Sequence, residues 1–370
     1  MTDDDLVDAE ARRRVAADLG ATLFVEAGAG SGKTTALVER IAALVESGAA
    51  PLTGIAAITF TEAAAAELRL KVRRELESRA QHTGGEAAPR LEEALARIDE
   101  APISTIHGFC RRVLSAHPIE AGLPPRFEVL DEISESIEWR RRFGHELDLL
   151  AATPAASEVI SLAWLLDVTA WRIEALARAL EVEWHRWAPA PGGLERALRR
   201  IEEITGPRLE ELRKAIDTAL AELARCSDPA DRLARRLEEL AALGSRISSP
   251  AWRTGLEAVL STAPFGSVQR RGEQQNWAGG IEEVRSLAAE AQRIHGSLRQ
   301  LVLDEILLGL TAHFQHRAQL AAQERRCRGV LTFHDLLVFC RTLLASQPAA
   351  LSALRRQFSY VLIDELQDTD

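Results

Sequence analysis

Hydrophobic and polar positions divide the chain into three textures. In residues 1–115 short apolar runs alternate with helical stretches. Thr22–Val25 reads as a strand, followed by a glycine-rich turn and a helical pattern from Lys33 to about Glu46. Ile55–Phe60 reads as a second strand, followed by an Ala/Glu/Leu/Arg-rich helix from about Glu62 to Arg79. Strands alternating with helices predict βαβ units and a parallel sheet. Residues 116–329 are helical throughout: Leu194, Leu198 and Ile201 keep one face, as do Leu209, Leu212 and Ile216. Within this block the Pro/Gly stretch at 189–193 and Gly244–Pro250 read as inter-helix loops, and Gly266–Gly280 as a mobile one. Residues 330–370 return to the first texture. Leu331–Leu337 opens a helix, and Tyr360–Ile363 is a continuous apolar run typical of a buried parallel strand.

Composition narrows the class. With 370 residues, 46% of them apolar, the chain has enough material for two to three domains with real cores, and overall disorder is excluded. No stretch of about 18 apolar residues runs without a charge, and no apolar segment of signal-peptide type follows the acidic N-terminus. The expectation is a cytoplasmic protein with no membrane partner. Four scattered cysteines form no Cys-x-x-Cys pair, which argues against a disulfide framework or a cysteine-built metal site. The net charge of −10 argues mildly against nucleic acid as a partner, but it is spread along all three regions rather than gathered in one acidic block. Only three basic residues are lysines, Lys33, Lys71 and Lys214.

Lys33 stands in a motif. Ala27, Gly28, Ala29, Gly30, Ser31, Gly32, Lys33, Thr34 and Thr35 follow the first predicted strand and open a helix. This is the A/G-x4-G-K-T form of a phosphate-binding loop. Small residues let backbone N–H groups turn onto phosphate oxygens, the helix N-terminus adds partial positive charge, Lys33 reaches the β- and γ-phosphates, and the Thr34 hydroxyl ligates Mg²⁺. Such a loop wants a second metal-binding acid at the end of a neighbouring strand. Asp364 and Glu365 follow Tyr360–Ile363 directly. Asp364 is expected to hold the metal and Glu365 to act as general base on water. Because 331 residues separate Lys33 from Asp364, the chain must leave one α/β core and return. The predicted fold class is therefore α/β. A parallel P-loop NTPase sheet is built from 1–115 and 330–370, with an all-helical domain inserted at 116–329.

Further segments fall in a recognisable order: Ile58–Leu68 (Ile-Thr-Phe-Thr-Glu-Ala-Ala-Ala-Ala-Glu-Leu), Ser104–Cys110 (Ser-Thr-Ile-His-Gly-Phe-Cys) and Asp364–Asp370 (Asp-Glu-Leu-Gln-Asp-Thr-Asp). Together with Val25–Thr35 they resemble the first RecA-like domain of UvrD-type superfamily 1 DNA helicases. The Val-Glu-Ala-Gly start, the Thr-Ile-His-x-Phe-Cys segment and Leu331–Leu337 resemble the RecB/AddA branch. The resemblance covers about 1–130 and 325–370, and the helical middle matches only in position and texture.

The resemblance implies an ATP-dependent DNA helicase, a 3′→5′ translocase of DNA repair and recombination that uses ATP and Mg²⁺. It also implies single-stranded or duplex-end DNA as partner, a further helicase–nuclease protein as a second partner, and a place at the nucleoid. It assigns single-strand contacts to Thr59, Phe60, Thr61, Thr105 and His107, and organisation of the γ-phosphate and water to Gln367. Each has a bland alternative: Phe60 as a strand-end core residue, His107 as a local cap, Gln367 as a surface loop residue. Phe109, Phe333 and Asp335 read as structural. Two positions depart from the family pattern. Arg12 stands where a glutamine often reads adenine, and Leu366 where Phe or Ala is usual. Since the family continues beyond its acidic motif, the chain is expected to be an N-terminal fragment, inactive alone as a helicase. Two other readings remain open: a non-catalytic ATP-gated module that binds DNA or a partner, and a different P-loop ATPase.

Overall fold

The structure, a computed structural model, describes residues 9–28, 30–188, 191–249 and 251–366. It divides into two compact units, residues 1–131 with 325–370, and residues 132–324. The first part of the chain forms α1 (Ala9–Ala17), α2 (Lys33–Glu46), β1 (Ile55–Thr59), α3 (Glu62–His82), α4 (Ala87–Ala96), β2 (Ile103–Thr105), α5 (Ile106–Ala116) and β3 (Glu128–Val129). Among the described residues seven α-helices follow: α6 (Glu132–Ala152), α7 (Pro154–Leu165), α8 (Ala170–Val182), α9 (Gly193–Ala221), α10 (Arg232–Ile247), α11 (Trp252–Ser261) and α12 (Glu282–Arg328). The chain then forms β4 (Val330–Leu331), α13 (Phe333–Ser346), α14 (Pro348–Gln357) and β5 (Tyr360–Ile363).

In the first unit β1 is the centre of a three-stranded parallel sheet of order β2-β1-β5. Ala57 lies opposite Ile103 and Leu362, and Ile58 opposite Ser104 and Ile363. All five residues of β1 are buried, as a central parallel strand requires. Ile41 and Leu44 of α2, Leu68, Val72 and Leu76 of α3, and Leu91 of α4 form one core with Ile55, Ala57 and Ile103. At full burial each such side chain contributes roughly 1.5–3 kcal/mol. Tyr360 and Leu362 pack on this core, whereas Val361 and Ile363, on the other face of β5, are exposed.

The strand expected at Thr22–Val25 is not formed. Residues 22–28 pair with no strand, and Phe24 is 80% exposed. An apolar run becomes a strand only where a ladder partner satisfies its backbone, and none lies beside this one among the described residues. Below it, the buried Arg40 of α2 donates from Nη1 to the carbonyls of Val15 (2.6 Å) and Asp18 (3.0 Å), and from Nη2 to Ala21 (3.0 Å). One guanidinium thus caps the carbonyl end of α1 and holds the segment leading to the loop.

At the far end of the unit, Asp335 is wholly buried. It meets Arg325 through Nε–Oδ2 (2.7 Å) and Nη2–Oδ1 (3.0 Å) and completes a reciprocal capping box with Thr332 at the start of α13. The structural reading of Asp335 fits this arrangement.

In the second unit the apolar faces of α6 to α12 share one core, with Leu162, Ile201, Leu212, Leu237, Leu256 and Leu298 among its members. Gly244, read from sequence as part of a loop, lies inside α10. A Cβ there would stand 3.1 Å from Ile216 Cγ2, so the glycine serves a close helix approach rather than a break. The stretch 266–280 is irregular but tied down. Asp231 accepts from the backbone N–H of Glu273 (2.9 Å) and from Asn276 Nδ2 (3.0 Å), while its other oxygen caps α10 through the Leu233 N–H (2.8 Å).

His295 of α12 is 1% exposed, with Nε2 3.2 Å from the Val259 carbonyl and its ring 4.9 Å from that of Phe265. Burial pushes its pKa down to about 4 against the pull of the Val259 carbonyl, and the Arg299 charge lowers it further. The native state therefore binds fewer protons here than the unfolded chain between pH 6.5 and 4. The neutral ring's contribution to stability is complete above pH 6.5 and is lost as pH falls through that window, by roughly 3 kcal/mol. Urea unfolding at pH 7 and pH 4 checks this, since His295→Gln should remove that share of the pH dependence. No single described helix is long and apolar enough to cross a membrane.

Candidate nucleotide and nucleic-acid site

Every residue of the site belongs to the first unit, at the C-terminal edge of the parallel sheet. The loop enters α2 through Gly32, whose φ of +88° is open to glycine. Gly30 has φ +76°, and a Cβ on Gly28 or Gly30 would meet nothing within 4 Å. Both the N–H and the hydroxyl of Ser31 donate to the Gly28 carbonyl, the hydroxyl at 2.7 Å, and close a tight turn. Lys33 is the first residue of α2, so the free N–H groups of that helix start within the loop.

The loop also has a brace that no motif announces. Arg12 of α1 donates from Nη2 to the Ser31 carbonyl, and its Nη1 lies 2.9 Å from where a Cβ on Gly32 would stand. Gly32 is thus required by its backbone, while the guanidinium of Arg12 lies against it. Neither Arg12 nor Arg40 carries a motif signature, because each acts by reaching backbone carbonyls far along the chain.

β5 runs beside β1, and its ladder extends one step further, with the Asp364 N–H donating to the Ile58 carbonyl (2.9 Å). Glu365 adopts φ +53°, an uncommon conformation for a residue with a side chain. Its Oε1 lies 3.4 Å from Lys33 Nζ, with both groups partly exposed. The two motifs, 331 residues apart in sequence, therefore meet. An open glycine turn, a helix N-terminus, one ammonium, the Thr34 hydroxyl and the Asp364 carboxylate form a donor set that fits a triphosphate with its divalent cation. Ala27, Gly28, Gly30 and Thr35 lie in the described loop or the helix start, while Ala29 and Gln367 lie outside the described residues.

The proposed strand-contact residues sit on the same edge but face different ways. Thr59, 3% exposed, donates from Oγ1 to the Thr61 carbonyl (3.1 Å). Thr105, 5% exposed, donates to Glu62 Oε1 (2.8 Å) and caps α5 by accepting from the Gly108 N–H (3.1 Å). Thr61 caps α3 through the Ala64 N–H (3.1 Å). Phe60, between them, is 56% exposed, so it stands clear of the core. His107 is half-buried, its ring edge-on to Phe333 at 5.2 Å. Burial lowers its pKa against the opposing pull of Glu62. The imidazole is therefore neutral at pH 7, able to donate or accept one hydrogen bond but not to act as a fixed cation. Phe109 packs on Phe358 with ring centroids 5.6 Å apart, in keeping with its structural reading.

The chain matches the family model described as UvrD/REP helicase N-terminal domain over residues 7–370. It is similar to the AddA component of the ATP-dependent helicase/nuclease of Desulforudis audaxviator (42% identical over 117 residues), a match covering 31% of this chain and 9% of that protein. The protein of the same name from Geobacillus kaustophilus is 28% identical over 427 aligned positions, covering 95% of this chain and 32% of the relative. DNA helicase II of Haemophilus influenzae is 40% identical over 120 residues, covering 32% of this chain and 14% of the relative. The chain thus spans about a third or less of the length of these relatives.

Proposed function

Since the chain belongs to the UvrD/REP helicase N-terminal domain family, we propose that it carries the ATP-binding half-site of an ATP-dependent DNA helicase of the AddA type, a translocase acting in DNA repair and recombination. The observation that carries this reading is the meeting of Lys33 with Glu365 on the sheet edge that also bears Thr59–Thr61 and Thr105–His107. Nucleotide chemistry and strand contact would then share one rigid support, so a small change at the triphosphate reaches the strand path through β1 and β2.

In this reading the turn from Ala27 to Thr35 cradles the triphosphate, and Lys33 neutralises its β- and γ-oxygens. Thr34 and Asp364 hold Mg²⁺, which when bound neutralises charge on the phosphates. Glu365 Oε1 takes the proton of the attacking water, with Gln367 orienting that water. Phe60 stacks on a base of a single strand, while Thr61 and His107 offer hydrogen bonds to its backbone. Thr59 and Thr105, with inward hydroxyls, hold the ends of β1 and β2 so that Phe60 and His107 are presented. The fold that goes with this reading is a P-loop NTPase sheet in the unit of residues 1–131 and 325–370, with the helical unit of residues 132–324 inserted in the chain between its two parts. Its partners would be single-stranded or duplex-end DNA and a further helicase–nuclease protein, in the cytoplasm at the nucleoid.

The test uses the polypeptide that carries this chain. Glu365→Gln is expected to abolish DNA-stimulated ATP hydrolysis while Mg–ATP still binds. Retained hydrolysis would remove Glu365 from its role. Wild-type hydrolysis indifferent to DNA would favour another class of P-loop ATPase, and nucleotide-dependent DNA binding without any hydrolysis would favour a non-catalytic gated module.

A further inference from the structure

Two arginines outside any motif join α1 to the phosphate loop, and they act in series. Arg40 of α2 is buried and grips the carbonyls of Val15, Asp18 and Ala21. α1 has nine residues, too few to hold a helix in water by themselves, so this grip fixes where α1 lies. From α1, Arg12 reaches forward to the loop. Its Nη2 donates to the Ser31 carbonyl, and its Nη1 lies 2.9 Å from where a Cβ on Gly32 would stand. The guanidinium therefore lies along the peptide that joins Ser31 to Gly32. The residue ahead of that peptide is tied as well, since the Ser31 N–H (3.3 Å) and hydroxyl (2.7 Å) both donate to the Gly28 carbonyl.

The direction of the Ser31 carbonyl matters to a ligand. No described peptide bond is cis, and a trans peptide sends its C=O and its N–H to opposite sides. With the carbonyl anchored toward α1, the Gly32 N–H is turned away from α1. It stands just ahead of the first residue of α2 and donates to no carbonyl among the described residues, so it is available to an anion. Glycine at φ +88° has a wide choice of backbone orientation. Without an anchor this peptide is free to turn over, and it would then show the phosphates an oxygen in place of a donor.

We propose that Arg12 is a positioning residue for the triphosphate, holding the Ser31 carbonyl on the α1 side so that the Gly32 N–H stays aimed at the phosphates. This rests on the reading of Ala27–Thr35 as the triphosphate cradle and adds to it a residue outside the loop. Arg12 acts through the loop backbone and touches neither base nor sugar. Its effect is therefore the same for a nucleoside triphosphate and for inorganic tripolyphosphate, which has no base.

The test measures binding of Mg–ATP and of Mg–tripolyphosphate by calorimetry, with KM and kcat for ATP hydrolysis, in the polypeptide that carries this chain. Arg12→Ala is expected to weaken both ligands about tenfold, the worth of one charge-assisted hydrogen bond to phosphate. KM should rise by a similar factor while kcat changes little, because the loop holds the phosphates and does not move the proton. Arg12→Lys keeps the charge and one donor but not the planar guanidinium along the peptide, and should recover only part of the loss. Arg14→Ala removes a charge from the same helix, from an exposed side chain beside Asp18 (3.8 Å), and should bind both ligands as the wild type does. Thermal melting identifies an Arg12 variant that fails to fold, and the other then carries the comparison. A loss for ATP with none for tripolyphosphate would make Arg12 a base contact and overturn the proposal. Equal losses in Arg12→Ala and Arg14→Ala would leave only long-range attraction and overturn it too. Wild-type affinity in every folded Arg12 variant would overturn it while the cradle reading stands. Failure of the wild type to bind either ligand would overturn the cradle and the proposal together.

Discussion

Lys33→Ala is expected to weaken Mg–ATP binding about 100-fold, a loss of about 3 kcal/mol. Two charge-assisted hydrogen bonds to phosphate oxygens, each contributing about 1.5–3 kcal/mol, account for an effect of that size. Folding should hardly change. Among the described residues the ammonium meets Glu365, at 3.4 Å and partly exposed, and such pairs contribute about 0–1 kcal/mol. The same contact gives the prediction a second edge. A bound triphosphate must draw Lys33 away from Glu365, so Glu365→Gln should bind nucleotide at least as tightly as the wild type. Titration with a fluorescent ATP analogue measures both variants. Unchanged affinity in Lys33→Ala would show that the loop does not hold a triphosphate in the way its sequence implies.

The largest stability effect is expected at Asp335. Its carboxylate is 0% exposed and its two oxygens are engaged by Arg325, while the Thr332 N–H also donates to it at 3.1 Å. Asp335→Ala leaves a buried guanidinium without its counter-ion and removes half of the capping box. The expected loss is roughly 3–5 kcal/mol. For a unit of this size that corresponds to a melting point lower by roughly 10 °C. The double variant Arg325→Met/Asp335→Leu should regain most of the loss, because replacing a buried pair by apolar side chains removes the desolvation cost together with the attraction. Calorimetry distinguishes the two outcomes. A double variant as unstable as Asp335→Ala would mean that the cap, rather than the ion pair, dominates.

Some of this arrangement was legible from sequence because the signal was local. Ile55–Phe60 and Tyr360–Ile363 are apolar runs between turn signals: residues 55–59 form a buried strand, and Tyr360–Ile363 forms a strand too but not the buried one expected, since Val361 and Ile363 are exposed. The helix expected from Lys33 to about Glu46 has those bounds in the structure. Where the cause was not local, the reading failed or was silent. Thr22–Val25 has the composition of a strand, but a strand also needs a neighbour. Gly244 has the composition of a break, but it lies inside α10, where Ile216 packs against the place a side chain would take. Thr59 and Thr105 look like outward hydroxyls when read as motif residues, yet each spends its proton on a neighbour at the end of its strand. Arg12 and Arg40 were invisible as supports because a guanidinium that grips carbonyls leaves no periodicity behind. The second compact unit begins at Glu132 rather than at 116, since α5 and the segment through β3 belong with the first.

The left-handed backbone at Glu365 has a consequence for how this protein could change over time. A non-glycine residue in that conformation costs about 1 kcal/mol or more, which glycine would avoid. Drift toward greater thermal robustness would therefore favour a residue with no side chain at this position, and that residue could not take a proton from water. If Glu365 has the role proposed for it, Glu365→Gly should raise the melting temperature and abolish hydrolysis together.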